Sequence, residues 1–435
     1  MSFSIAINMS RVLQLLRDVI NKGFFHLLSA NFIIGFLGFG SLLLIAKFVT
    51  PIELGQIKAM HAFIGVATIL AGFGFNTAVL KLCSEKKPLE ERAFIFKQNF
   101  YYTALPILFV LVCLFALAKL GLLSPDRNIN RWLPLYMLVI PAMAYTSLIM
   151  VYLQALKKIQ LMAKLQILIR FFGFIILVVM TYFYGLIGFI LSTIFVGYIA
   201  LLPLFNLIKD NFESKMKGAI VFSRSFFYAK WSVAGNAVGR IGQYMDIFML
   251  NYLIKDRVGF GYYGLSTIFI LGLNYITSTV QSIATPYFSE KSNDKKEFLR
   301  VLKKYEKLMI LLALGASIIA FLIVPPFIKT VYGNNYAPAG SYFRILTLKY
   351  FFRSCYALLG VAILGLGKMK YNFLSVFISV AISLVLSYFF ITSYGLMGAA
   401  VAQALAYFIT LIVVSFMIRY VIKVHFGVQT TRNVR

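Results

Sequence analysis

Acidic residues are scarce in this chain. Its 435 residues include 14 Asp and Glu against 42 Lys and Arg, a formal net charge of +28, and charged residues of both signs make up only 13%. Soluble domains carry about 25% charged residues, so a soluble enzyme is excluded. The basic excess does not read as a nucleic-acid footprint either, because it falls in short loops between apolar runs. Cysteine is scarce too. Cys83, Cys113 and Cys355 are odd in number and form no CxxC, which argues against a disulfide framework or a structural metal site. No GxxxxGK[ST] loop occurs and no loop is long enough to house a catalytic domain, so an ATP-driven pump is not expected and no cofactor is implied. The first 22 residues lack an apolar stretch ending in a small-residue cleavage site, so no cleaved signal peptide is expected.

What remains is apolar. The hydrophobic fraction is 61% and the mean hydropathy +0.86. Apolar runs of membrane-spanning length make this an all-α integral membrane protein rather than a barrel. The runs predict twelve transmembrane helices, near residues 24–49, 57–80, 99–122, 132–154, 165–184, 186–208, 226–253, 258–286, 306–331, 345–366, 372–392 and 396–418. Before them, residues 9–22 place Val12, Leu13, Leu15, Leu16, Val19 and Ile20 at helical spacing, the pattern of an amphipathic helix on the membrane surface. With the N-terminus inside, 30 of the 42 Lys and Arg fall on the inner side and nine, including Lys47, Lys58 and Lys119, on the outer. Cytoplasmic loops retain basic residues, so both termini are expected in the cytoplasm. Lys47 and Arg170, near span ends, read as snorkelling side chains.

The chain repeats. Tyr184-Gly185-Leu186-Ile187-Gly188 returns as Tyr394-Gly395-Leu396-Met397-Gly398, and Lys158 as Lys368, both at an offset of 210. Glu53-Leu54-Gly55 has a counterpart in Gly259-Phe260-Gly261 at an offset of 206. The repeat predicts two six-helix lobes related by an axis along the membrane normal. The N-terminal lobe is 1–208, the cytoplasmic linker 209–225, the C-terminal lobe 226–418 and the cytoplasmic tail 419–435. Pro106, Pro141, Pro203, Pro286, Pro325 and Pro326 lie in or at the ends of spans and predict bent helices.

The span from Phe226 to Leu253 carries Arg240 near its middle and Asp246, the one acid well inside an apolar segment. A charge there costs at least about 2.5–3.5 kcal/mol on insertion scales, so it faces a polar cavity or a partner. Two readings stand. Small and polar residues (Ser232, Ala234, Gly235, Asn236, Gly239, Gln243) are helix–helix glue, or they wall a transport pathway. Arg240 and Asp246, at i and i+6, point about 120° apart on an ideal helix, so a partner for Asp246 is expected from another helix. Lys349 and Arg353, at i and i+4, share a face. They either snorkel to the outer interface or form a cationic patch for a phosphate or sugar carboxylate. Asn31, Asn76, Asn274 and Gln281 read singly as interhelical glue and together as a wet lining.

The first hairpin carries Ala46-Lys47, Thr50-Pro51, Glu53-Leu54-Gly55 and Gly74-Phe75-Asn76-Thr77-Ala78. It resembles the opening of polysaccharide-export flippases of the Wzx type, with Val49-Thr50 departing from the usual Leu-Gly before the proline. Asp246, Tyr262, Pro286-Tyr287 and Val331-Tyr332-Gly333 extend the resemblance over nearly the whole chain. It implies the fold of the multidrug/oligosaccharidyl-lipid/polysaccharide exporter superfamily: two six-helix lobes arranged as a V around a central cavity. The implied activity is flipping an undecaprenyl-pyrophosphate-linked oligosaccharide, such as an O-antigen unit, across the bacterial inner membrane by alternating access. The alternative is an ion-coupled drug exporter of the same fold. Partners implied are the lipid-linked oligosaccharide, membrane lipids, a polysaccharide polymerase and a chain-length regulator, with no nucleic acid and a functional monomer. Substrate-binding residues expected on this reading are Arg240, Arg353, Lys349, Asn31, Asn236 and Asn274. Asp246 is the candidate ion-coupling group, and no metal site or catalytic residue is expected.

Overall fold

A computed structural model describes residues 24–85, 87–212 and 222–432, and all regular structure among them is helical. The amphipathic segment 9–22 and most of the expected linker lie outside the described residues. The helices are α1 (Phe24–Phe48), α2 (Pro51–Gly72), α3 (Phe75–Ser84), α4 (Leu89–Lys119), α5 (Arg127–Tyr136), α6 (Val139–Ala155) and α7 (Ile159–Asn206). A 3-10 turn at Lys209–Phe212 precedes the undescribed stretch. Then follow α8 (Phe222–Gln243), α9 (Met245–Leu253), α10 (Arg257–Glu290), α11 (Lys295–Tyr332), α12 (Ala337–Gly365) and α13 (Met369–Arg432). Among the described residues, seven unbroken helices are long and apolar enough to cross a membrane, or eight if α5 and α6, bent by 46°, form one span. Large apolar side chains such as Leu105, Phe109, Leu202 and Phe416 stand exposed on the outside, the surface a lipid environment covers.

Local chemistry sets the helix ends. Thr50 caps α2: its hydroxyl accepts from the Glu53 N–H, the Glu53 carboxylate accepts from the Thr50 N–H, and Pro51 fills the first turn. Asp256 and Asp294 cap α10 and α11, their carboxylates accepting from N–H groups of the first turn.

α7 and α13 each contain a reversal. Gly185 has φ 55° and ψ −134°, and Gly395 has φ 59° and ψ −135°. Only glycine adopts this region without strain. Each chain then folds back on itself: Gly173 faces Val196, Gln403 donates to Ser383 at 3.0 Å, and the Tyr371 and Tyr420 rings lie 5.7 Å apart. The 210-residue repeat is thus a repeat of backbone geometry. It holds one turn earlier as well, where the left-handed Lys157 (φ 60°) matches Gly367 (φ 71°).

The other offset, 206, has a packing consequence. Gly55 of α2 meets Phe260 and the Gly261 N–H of α10, and Lys58 lies against Gly264. Residues related by the repeat touch each other, as in an isologous contact about a two-fold axis. The Pro51 carbonyl occupies the space a Cβ on Gly261 would need, so a side chain there would push the helices apart.

The expected single span at 226–253 is broken. Tyr244 leaves helical geometry (φ −106°, ψ 11°), ending α8 and starting α9. Arg240 therefore sits near the end of one helix and Asp246 in the first turn of the next.

Candidate functional site: a cationic chamber closed at both ends

The end of the molecule at Thr50 is sealed by hydrogen bonds between segments far apart in sequence. The Ser124 hydroxyl donates to Asn251 at 2.8 Å, Asn251 donates to the Leu123 carbonyl at 3.2 Å, and Tyr252 donates to the Leu122 carbonyl at 2.6 Å. Tyr332 donates to the Leu43 carbonyl at 2.9 Å, joining α11 to α1. At the Glu85 end, α8 rests on α3. The Thr77 and Ser232 hydroxyls lie 2.6 Å apart, the Ala229 carbonyl packs on Gly74, and Arg224 reaches Glu85 at 3.6 Å.

Between the two seals lies a concentration of positive charge. Lys58 and His61, one turn apart on α2, are within electrostatic reach of each other, and Arg240 of α8 and Arg170 of α7 lie within reach of the same imidazole. His61 sits deep within the protein yet keeps an open surface, the signature of a residue lining an internal space. Its ring meets that of Tyr244 edge-on at 6.4 Å. Arg240 donates to the Gln243 side-chain oxygen Oε1 at 3.0 Å. Arg170 also lines a cavity of about 550 Å³ between α1, α6 and α7, with Ser41, Thr146, Ser147, Gln154 and Gln166 on its polar wall. It is not a snorkelling end residue. Among the described residues, Arg170, Arg240 and Arg353 have no carboxylate within salt-bridge distance.

Asp246 is the acid facing this region. It is 2% exposed, and Lys349 of α12, 9% exposed, donates to its Oδ2 at 3.2 Å. The Tyr263 hydroxyl donates to the same oxygen at 2.8 Å, and the Ile247 N–H donates to Oδ1 at 3.0 Å. Lys349 further sits 5.2 Å from the centre of the Tyr407 ring. The partner of Asp246 comes from another helix, and Lys349 neither snorkels nor opens to a lumen. Arg353, one turn on, donates to the Asn274 side-chain oxygen. Asn236 is exposed and donates to Ser232 at 3.2 Å. Asn76 donates to Ser147 at 2.8 Å, bridging α3 and α6. The side chain of Asn31 lies outside the described residues.

Lys58 and His61 are the residues the sequence reading missed. In the sequence Lys58 counts with the outer side, because a span started at residue 57 places it at the very outer end. The Thr50-Pro51-x-Glu53 capping signature carries the correction: it starts the helix at Pro51 and puts Lys58 two turns inside, with His61 on the same face.

The described residues thus define an all-helical, multi-pass membrane protein with a cluster of cationic side chains in its interior. The profile of the family described as "Polysaccharide biosynthesis protein" matches residues 44–341, and the chain belongs to that family. It is 30% identical over 155 residues to a protein of Shigella flexneri named "Putative O-antigen transporter"; the match spans 35% of this chain and 36% of the relative's length. Among solved structures, the lipid II flippase MurJ in an inward closed conformation superposes with a TM-score of 0.75 at 18% identity, covering 91% of this chain and 87% of that one. A multidrug resistance MATE transporter in its inward-facing conformation superposes at 0.68 with 10% identity, covering 91% and 96%. These likenesses establish the fold.

Proposed function

We propose that this protein is a flippase that carries an undecaprenyl-pyrophosphate-linked oligosaccharide, an O-antigen unit or a similar repeat, from the cytoplasmic to the periplasmic leaflet of the bacterial inner membrane. The observation that carries this reading is the cluster of Lys58, His61, Arg170 and Arg240; Asp246, the acid within electrostatic reach of Lys58, is already held by Lys349. A cation near the membrane centre is costly without an anionic partner. A pyrophosphate headgroup supplies that partner, and guanidinium groups bind it bidentately. A cationic drug would find the wrong sign of charge here, which weighs against the drug-exporter alternative. The named flippase and transporter relatives agree with a carrier rather than an enzyme.

In this reading the chain forms two six-helix lobes, 1–208 and 226–418, joined by the linker 209–225 and followed by the tail 419–435. The repeat at Gly185 and Gly395 supports this division, and its twelve helices form a V that opens alternately to either side. With both termini cytoplasmic, the Thr50 end faces the periplasm and the Glu85 end the cytoplasm. Arg240 binds the pyrophosphate; Asn31, Asn236 and Asn274 line the path; Arg353 meets the glycan. Lys349 acts through Asp246 rather than on substrate. The isoprenoid tail stays in lipid, because each buried CH₂ is worth about 0.8 kcal/mol, so the lobes open sideways as the headgroup crosses. The polymerase and chain-length regulator receive the product outside. The driving force is either the substrate gradient or an ion gradient coupled at Asp246.

Depletion of the protein tests the reading in cells. The expected result is accumulation of the lipid-linked intermediate on the cytoplasmic leaflet; unchanged delivery to the periplasm contradicts it.

A further inference from the structure

A second polar cavity, of about 270 Å³, lies between α8, α10, α12 and α13. α8 presents Gly239, Gly242 and Gln243 to it, and Gln243 is the residue that Arg240 bonds. The cavity is therefore next to Arg240 and the cationic cluster.

Its chemistry differs from that of the chamber. Arg353 is the one charged residue lining it, and its side-chain partner is the neutral Asn274. Several of the remaining polar groups present acceptors, while the Asn372 amide and the tyrosine hydroxyls can donate as well. Ser375 donates its hydrogen to the Tyr371 carbonyl at 2.9 Å and Ser379 to the Ser375 carbonyl at 2.7 Å, so both hydroxyl oxygens are left as acceptors. Gln281 donates its amide to the Ala357 carbonyl at 2.9 Å, which leaves its carbonyl oxygen for a ligand. The Tyr356 and Tyr407 rings, stacked at 6.2 Å and 27°, form an aromatic wall. One cation, several acceptors and an aromatic face call for a ligand with one negative charge and several hydroxyl donors. Inorganic phosphate fits poorly, because it brings more charge than Arg353 neutralises and has no apolar face to lay on the tyrosine rings.

We propose that this cavity is a subsite for one acidic sugar residue, a hexuronic acid, of the translocated glycan. The carboxylate pairs with Arg353, the ring hydroxyls donate to Ser375, Ser379 and Gln281, and the apolar sugar face lies on the tyrosines. The assignment rests on the flippase reading and adds a substrate class to it.

The test is binding of D-glucuronate to the purified full-length protein in lipid nanodiscs, measured by saturation-transfer NMR against D-glucose and inorganic phosphate. A charge-assisted hydrogen bond is worth about 1.5–3 kcal/mol, so glucuronate should bind at least about tenfold tighter than glucose. Phosphate should not displace it. Arg353→Gln should reduce glucuronate to the affinity of glucose, and Arg353→Lys should fall between. If Arg353→Gln does not fold, Ser379→Ala keeps the test, because it should weaken both sugars while preserving the preference for the acid. Equal binding of glucuronate and glucose, or displacement of glucuronate by phosphate, overturns the proposal. Wild type that translocates a lipid-linked glycan in proteoliposomes but binds no glucuronate overturns the subsite alone. Wild type that binds glucuronate but translocates no lipid-linked glycan supports the subsite and overturns the flippase reading.

Discussion

Asp246 and Lys349 are the residues on which the site's charge balance turns. They are 103 positions apart and meet in a nearly water-free contact. Removing one member of a buried pair strands the other charge and typically costs about 3–5 kcal/mol. Asp246→Asn should therefore lower thermal stability sharply, whereas the double change Asp246→Asn, Lys349→Met should recover most of it. Thermal unfolding of the detergent-solubilised variants checks this; equal stability of the single and double variants would contradict it. If Asp246 couples an ion gradient, the double variant, though folded, should transport without responding to the gradient. The sequence singled out Asp246 because an acid in an apolar run is conspicuous. It could not pair Asp246 with Lys349, because a contact across 103 residues leaves no local pattern. Lys58 was legible in principle through the Thr50 cap, and was lost by placing the helix start six residues late.

At the scale of elements, Gly185 and Gly395 carry the reversals of α7 and α13. Their backbone angles are disfavoured for any residue with a Cβ, at about 1–3 kcal/mol each. Gly185→Ala and Gly395→Ala should each destabilise by that amount and to a similar degree, since the angles agree within 4°. Chemical denaturation of the two variants measures it; a large effect from one and none from the other would break the equivalence of the repeats. These turns were readable because the motif recurs with its glycine. The break at Tyr244 was not. No proline or glycine stands at that position, and the Tyr244 N–H shares the carbonyls of Arg240 and Ile241. The Tyr244 ring lodges against Gly65 of α2, so the break coincides with a tertiary contact that helical periodicity does not encode.

At the scale of the whole molecule, hydrogen bonds between distant segments tie both ends shut on either side of the cationic cluster, so alternating access requires each set to break in turn. Cysteine pairs at Thr77/Ser232 and at Ser124/Asn251 replace contacts of 2.6 and 2.8 Å. Each crosslink, once formed by oxidation, should stop transport, and reduction should restore it. Full transport by a quantitatively crosslinked protein would rule out opening at that end. The most direct test of the central claim is translocation itself. Purified protein in proteoliposomes receives an undecaprenyl-pyrophosphate-linked oligosaccharide on one leaflet, and its arrival on the other is followed by a membrane-impermeant glycan-modifying enzyme. Wild type should translocate it, Arg240→Ala should lose the activity, and Arg240→Lys should keep part, because the charge survives but the bidentate fork does not. Translocation by a stably folded Arg240→Ala at the wild-type rate, or none by wild type, would contradict the account.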